Sequence, residues 1–330
     1  MKACIVTDEA KFREHLPVFA TRQYLGCQSA EFGWFASDGL VMPWYVTTRL
    51  GFRSLRVTNA PIRISEGSAI YGEREFLDSV CTLAAKELAV DRIIQPQNNA
   101  VFDTVPQDSI HAPFASLFVP LQQSSPEDLF AAVHSKHRNV IRKAERDDVI
   151  ISLDTDRIGE CVDLFRSTMA RQKMGVPAVA YFDSLLAALD GQVAVATATR
   201  GDVIHGCALI PWNRHGAFYF WGGSIEQPFG GALNLLHWRL IESMHARGVE
   251  KYDFVGARIA PEPGSKSESI QRFKERFGAT LRPGYLWKQD CRPWRARALS
   301  LAMSVKASLS GQVIRPDIID QERTRLGAHP

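Results

Sequence analysis

Twice along this chain, three period-two strands separated by tight turns lead into an amphipathic helix and then a further short strand. That repeated order constrains the fold more than any single motif. In the first run, Gly33 to Ser37, Leu40 to Thr47 and Ser54 to Val57 alternate as strands around Asp38-Gly39 and Gly51. Helical spacing of Phe76, Val80, Leu83 and Leu88 predicts a helix from Glu73 to Leu88, followed by short and long strands at Arg92 to Ile94 and Ala112 to Leu121. In the second run, Gln192 to Ala198, Val203 to Trp212 and Ala217 to Ser224 are the strands, split by Gly201-Asp202 and by Asn213 to Gly216. A helix from Gly231 to about Arg247 carries Leu233, Leu236, Leu240 and Met244 on one stripe, with Gly248 where a terminating glycine belongs. The strand Lys251 to Val255 follows, and Met42-Pro43-Trp44 echoes Ile210-Pro211-Trp212.

With 330 residues, the chain has room for about two domains of roughly 150 residues. Between the two runs, Ser124 or Ser125 is placed to cap a helix that has Pro126 at its first position and Glu127 and Asp128 in its first turn. The expected division is therefore 1–123, 124–288 and a basic tail, 289–330. The first helix of the second domain is read as running on to about Asp147, with another from about Arg157 to Gln172. Lys and Arg number 39 against 36 for Asp and Glu, a net charge of +3. Bulk charge of that size does not mark a nucleic-acid binder, and any such role needs local basic patches. The six cysteines form no C-x-x-C pair, which excludes a zinc ribbon and a disulfide scaffold and suits a reducing compartment. The acidic start after a short apolar run does not read as a signal peptide, so a cytoplasmic protein is expected.

Candidate chemistry gathers in four segments. In Ser135 to Arg146, Arg138, Arg142 and Arg146 are spaced i, i+4, i+8 on one helix face, while Val133, Val140, Ile141 and Ala144 cover the core side. With Lys143 they form either a solvated face or a row of cations aimed at phosphates. In Trp221 to Ala232 a strand end, Gly222-Gly223-Ser224, passes through Gln227 to Gly230-Gly231 into a helix whose free N–H groups suit an anion. Pro228 removes one of those donors. Asp253, in Tyr252-Asp253-Phe254, ends an apolar strand and needs a partner or a task there. Lys274 lies between Phe273 and Phe277, which anchor one helix face; a lysine so placed is ordinarily exposed. His237, on the stripe of its helix, reads as a core histidine with a satisfied ring. No H-x-x-x-H, G-x-S-x-G or Walker loop is present, and no metal site is expected.

Lys136-His137-Arg138-Asn139-x-Ile141-Arg142-Lys143-Ala144, Gly222-Gly223-Ser224, Tyr252-Asp253-Phe254 and Phe273-Lys274-x-x-Phe277-Gly278, in this order, resemble the Fem-type peptidoglycan aminoacyltransferases and their GNAT-like relatives. Gln227, Gly230 and Ala232 also fit the Gln/Arg-x-x-Gly-x-Gly/Ala pyrophosphate loop of GNAT acetyltransferases. The resemblance is clearest over 124–288. It implies an α/β (α+β) fold of two tandem GNAT-like domains, each a mostly antiparallel sheet flanked by helices, the first domain degenerate because no glycine-rich loop precedes its helix. It implies transfer of an aminoacyl or acyl group to an amine of a cell-wall or envelope-glycan precursor, without a covalent enzyme intermediate. The donor co-substrate is aminoacyl-tRNA or acyl-CoA, no cofactor is bound tightly, and the acceptor is nucleotide- or lipid-linked. Lys274 and Asp253 become the catalytic candidates. Arg138, Arg142, Lys143, Ser224, Gln227, Gly230, Gly231, Tyr252 and Phe273 become the substrate- and phosphate-binding candidates. A non-catalytic glycan- or partner-binding protein on the same fold is the alternative.

In the tail, Trp294, Ala298, Leu301, Val305 and Leu309 share one helical stripe, edged by Arg292, Arg295, Arg297 and Lys306. That stripe either packs on the protein's own domains or contacts the inner face of a membrane peripherally.

Overall fold

Glycine turns and β-branched or aromatic strands set the first part of the fold. The computed structural model describes residues 2–64, 72–122, 124–310 and 315–327, with 304–310 described by backbone alone. The elements begin with β1 (Cys4–Val6), α1 (Arg22–Gln28), β2 (Glu31–Ser37), β3 (Leu40–Arg49), β4 (Phe52–Val57) and β5 (Ile62–Arg63). They continue with α2 (Glu73–Lys86), β6 (Arg92–Ile93) and β7 (Ile110–Pro120). Thr21 caps α1, a helix the sequence reading did not contain. Strands β2, β3 and β4 form an antiparallel meander, and after α2 the chain returns to lay β6 parallel to β4.

The second run repeats this order. It holds α3 (Pro126–Ala132), α4 (Ser135–Arg146), β8 (Ile150–Leu153), α5 (Ile158–Ala170) and α6 (Val179–Ala188). Then come β9 (Val193–Arg200), β10 (Val203–Asn213), β11 (Gly216–Phe218), β12 (Trp221–Ser224), α7 (Ala232–Ala246), β13 (Lys251–Asp253) and α8 (Lys266–Glu275). β9 and β10 pair antiparallel, β11 extends beside β10, and after α7 the chain lays β13 parallel to β11. The chain closes with β14 (Thr280–Asp290), α9 (Pro293–Ser310) and α10 (Ile318–Arg325).

Contacts divide the chain into one unit of Met1–Ala115 with Pro283–Pro330 and another of Ser116–Arg282. The division falls within β7, ahead of the Ser/Pro segment. There Ser125 caps α3 in a full capping box with Asp128, with Pro126 in the first turn. In the first unit the strand order is β1-β2-β3-β4-β6-β14, and Phe35, Trp44, Leu55, Phe76, Val80 and Trp287 fill the core. In the second unit it is β7-β13-β11-β10-β9-β8, with β12 also paired to β10. The fold is α/β, two units with mostly antiparallel sheets flanked by helices.

Two elements depart from the sequence reading. The strand expected over Ala217 to Ser224 is two: β11 turns to β13, whereas β12 pairs with β10 from Leu209 to Gly206. Tyr219 N–H goes to Asp253 O and Phe220 N–H to Leu209 O, so the chain switches partners at these two residues. The helix expected to run from Pro126 to Asp147 breaks at Val133-His134, where His134 N–H donates to Arg276 O instead of continuing the helical ladder.

The described residues of the tail stripe are exposed. Trp294 is 72% exposed and Leu301 68%, and Ala298 is exposed; Ala296 is the buried residue of this turn. The side chains of Val305, Lys306 and Leu309 lie outside the described residues. Arg292 and Arg295 turn inward to the buried carboxylate of Asp91, at 3.4 and 3.2 Å. Beyond them α10 docks through buried Ile319, with Lys288 bridging Asp317 and Asp320. Among the described residues, no helix is long and apolar enough to cross a membrane.

Candidate active site

The site grows from a turn that L-residues avoid. After β13, Val255 and Gly256 both take left-handed backbone angles, φ +52° and +64°. Glycine does so freely; a β-branched valine is strained by about 1–2 kcal/mol. The turn is held because Asp253 Oδ1 accepts from Val255 N–H at 2.8 Å and from Ser116 Oγ at 2.6 Å. Lys251 Nζ stands 3.7 Å from the other carboxylate oxygen. Asp253 is 2% exposed, so the strand end carries a buried charge with hydrogen bonds already committed. Its observed contacts hold the strand end.

The strained turn exposes two carbonyls to α8. Lys274 Nζ donates to Val255 O and Gly256 O, each at 2.9 Å. The lysine is thus turned inward, unlike the exposed helix lysine the sequence suggests. An ammonium has three donors, and two of them fix its direction here. Burial pulls the Lys274 ammonium down to about 8, with the Asp253 charge working in the opposite sense. Phe273 and Phe277 stack edge-on at 5.3 Å, as the i, i+4 spacing predicts.

Two histidines complete this core, and sequence reasoning gave neither a site role. His237, on α7, shares a 2.9 Å hydrogen bond with Tyr252 Oη and lies edge-on to Tyr219 at 4.6 Å. Its ring is satisfied, as its place on the stripe suggests. Burial first, then the Lys274 and His137 charges, push it down to about 3, so it is neutral at physiological pH. His137, on α4, packs on Phe273 and Phe277 at 5.2 and 4.9 Å. Burial, then Arg276 and His134, bring it down to about 4. Its Nδ1 is buried without a hydrogen-bond partner among the described residues. The alternation of His137 with Ile141 and Ala144 on the buried face of α4 was the available signal for its inward position.

The phosphate candidates separate into several groups. Arg138 does not face outward: Nη1 donates to Ala131 O at 2.7 Å and Val133 O at 2.5 Å, closing the end of α3. Arg142 is exposed and stacks over Phe130 at 5.2 Å. Lys143 is 61% exposed, pairs with Asp147 at 3.5 Å, and lies 5.8 Å from the Phe229 ring, over which Arg200 also sits at 4.3 Å. Ser224 is held by its backbone: its N–H meets Thr168 Oγ1, and its carbonyl accepts from Thr168 and Arg171. Gln227 is exposed at the loop surface. Tyr252 and Phe273 lie in the core around His237 rather than in the loop.

Part of the loop before α7 is already committed. Phe229 N–H goes to His205 Nδ1 at 3.0 Å, Ala232 N–H goes to Phe229 O, and Pro228 has none to give. Gly231 sits at φ +90° with the carbonyl of Val140 against it; a Cβ there would lie 2.4 Å from that oxygen. Gly230 faces open space. Two cations and the start of a 15-residue helix without a side-chain cap remain beside the loop, an environment suited to an anion.

Residues 131–274 match the acetyltransferase (GNAT) domain family. Among solved structures, FemX shares the fold with a TM-score of 0.64 at 14% identity, covering 87% of this chain and 97% of FemX. The C-terminal domain of a protein described as a lysylphosphatidylglycerol synthetase from Agrobacterium fabrum gives 0.54 at 13%, covering 88% and 95%. L-PGS from Bacillus licheniformis gives 0.51 at 13%, covering 86% and 90%. No curated protein sequence matches the chain.

Proposed function

From the premise that this chain is a GNAT-like acyltransferase with the fold of FemX, we propose that it moves an aminoacyl group from aminoacyl-tRNA to an amine of a nucleotide- or lipid-linked envelope precursor. The observation that carries the choice of donor is the loop before α7. A pyrophosphate cradle needs several free N–H groups at a helix start. Here Phe229 N–H is committed to His205 and Ala232 N–H to Phe229 O, and Pro228 cannot donate, so three positions of the loop are lost to a pyrophosphate. What remains is a cationic margin of Lys143 and Arg200 around Phe229, better matched to a nucleic-acid backbone than to one buried pyrophosphate. The cytoplasm, where charged tRNA is found, is the proposed setting.

In the proposed reaction the acceptor nitrogen attacks the ester carbonyl. A C–N bond forms, the C–O bond to the terminal ribose breaks, and the amine's proton ends on the ribose oxygen. No covalent enzyme intermediate is required. The rate depends on positioning and on stabilising charge that develops on oxygen. Lys274 uses two donors on Val255 O and Gly256 O, leaving one N–H for the carbonyl or leaving oxygen. Asp253 acts through the turn: it holds Val255, and Val255 and Gly256 hold Lys274.

This assignment fixes a pH dependence. Lys274 is cationic below about 8 and loses its proton as pH rises through that value, so kcat at saturating substrates should fall above about pH 8. Asp253 raises the lysine's proton affinity, so Asp253→Asn should move the falling limb to lower pH while its amide oxygen still accepts from Val255. A limb that stays in place would remove Asp253 from this role. Filter binding of aminoacyl-tRNA against calorimetry with acetyl-CoA tests the donor: tRNA should bind and acetyl-CoA should not. Tight acetyl-CoA binding with no tRNA binding reverses the choice. The acyl-CoA reading keeps one observation in its favour, the uncapped start of α7 beside exposed Gly230.

A further inference from the structure

Leu50 stands at the apex of the β3–β4 turn, 93% exposed and at φ +50°. It breaks two local rules together. A bulky apolar side chain lies wholly in water, and it occupies a backbone conformation that Asn or Gly takes at lower cost. Strain of this kind persists where it serves a function, and the observed outlier motivates the search for one. Beside it, Arg295 donates to Gly51 O at 2.8 Å while also pairing with buried Asp91, which ties the first turn of α9 to the same hairpin tip. The neighbouring Trp294 is 72% exposed, and Leu301 follows on its face at 68%. Arg49 and Arg297 are exposed within this patch. No Asp or Glu occurs from Pro293 to Arg315 or from Leu40 to Phe52. Two copies of this face would bring like charges together, which disfavours self-association as its use.

We propose that the Leu50 turn and the start of α9 form a peripheral docking surface for an anionic lipid bilayer. Leu50 and Trp294 enter the boundary between headgroups and acyl chains, where tryptophan is favoured, and Arg49 and Arg297 meet lipid phosphates. The surface lies within the first unit and needs neither the acyl donor nor Lys274, so it stands or falls apart from the proposed reaction.

The test is co-sedimentation of the full chain with vesicles of phosphatidylglycerol mixed with phosphatidylcholine, and with phosphatidylcholine alone. Binding should be about tenfold stronger to the anionic vesicles and should weaken in high salt. Leu50→Asn and Trp294→Ala should each lower the partition coefficient about tenfold. Leu50→Asn should melt no lower than the parent protein, because Asn suits the turn, so this variant decides the matter even if Trp294→Ala is less stable. Absence of binding to anionic vesicles overturns the proposal. So does undiminished binding by Leu50→Asn, or a dimer in sedimentation velocity that this variant dissociates without any vesicle binding.

Discussion

Lys274→Ala lowers kcat about 100-fold or more, the loss of about 3 kcal/mol of transition-state stabilisation expected when a preorganised donor is removed from a developing oxyanion. The structure also bears on stability. The side chain bonds two carbonyls, so its removal leaves Val255 O and Gly256 O without this donor, while relieving the burial that lowers its proton affinity. These terms oppose, and the change in melting temperature should be small beside the change in rate. The folded lysine titrates near 8 and the unfolded one near 10.5, so its burial costs stability below about pH 8 and that cost disappears as pH rises through about 10.5. The stability of the alanine variant relative to the parent should therefore fall as pH rises from about 8 to about 10.5. Lys274→Arg should recover part of the rate, since its planar fork carries charge but meets the two carbonyls differently. Stopped kinetics at saturating donor, with a melting curve for each variant, check this. Full activity in Lys274→Ala would remove the lysine from the reaction.

Gly231→Ala costs about 3 kcal/mol of stability and about 10 °C in melting temperature. The residue is at φ +90°, and a Cβ would stand 2.4 Å from Val140 O and 3.2 Å from Ala144 Cβ. The obstacle on α4 is backbone, so α7 and α4 must separate to accept it. Gly230→Ala is the control one residue away: Gly230 meets nothing within 4 Å and should melt as the parent does. The two glycines were alike as members of a phosphate loop in sequence; their surroundings give one a packing role. Thermal unfolding of both variants decides it, and equal melting temperatures would contradict the close approach of the helices.

Legibility followed locality. The Gly-punctuated strands, the Ser125-Pro126 helix start and the α7 stripe ending at Gly248 are encoded by neighbours in sequence, and the structure has them. The split between β11 and β12 is not, because Tyr219 and Phe220 suit any strand and only distant Asp253 O and Leu209 O decide which way they turn. The break before α4 likewise depends on Arg276 O. At the site, the Phe273–Phe277 anchor and the satisfied ring of His237 follow from helical spacing. The inward turn of Lys274 does not, since its acceptors exist only because Val255 adopts a conformation its own side chain resists. Arg138 shared a face with Arg142 in sequence, yet it caps α3 because Ala131 O and Val133 O end free within reach.

Transfer itself is measured by following label from aminoacyl-tRNA, charged with a radiolabelled amino acid, to a nucleotide-linked cell-wall peptide bearing a free amine, with acetyl-CoA as the competing donor. The account predicts amide-linked label in the acceptor, released uncharged tRNA in equal amount, no product from acetyl-CoA, and loss of transfer in Lys274→Ala with tRNA binding retained. Consumption of acetyl-CoA with no label leaving the tRNA would contradict it.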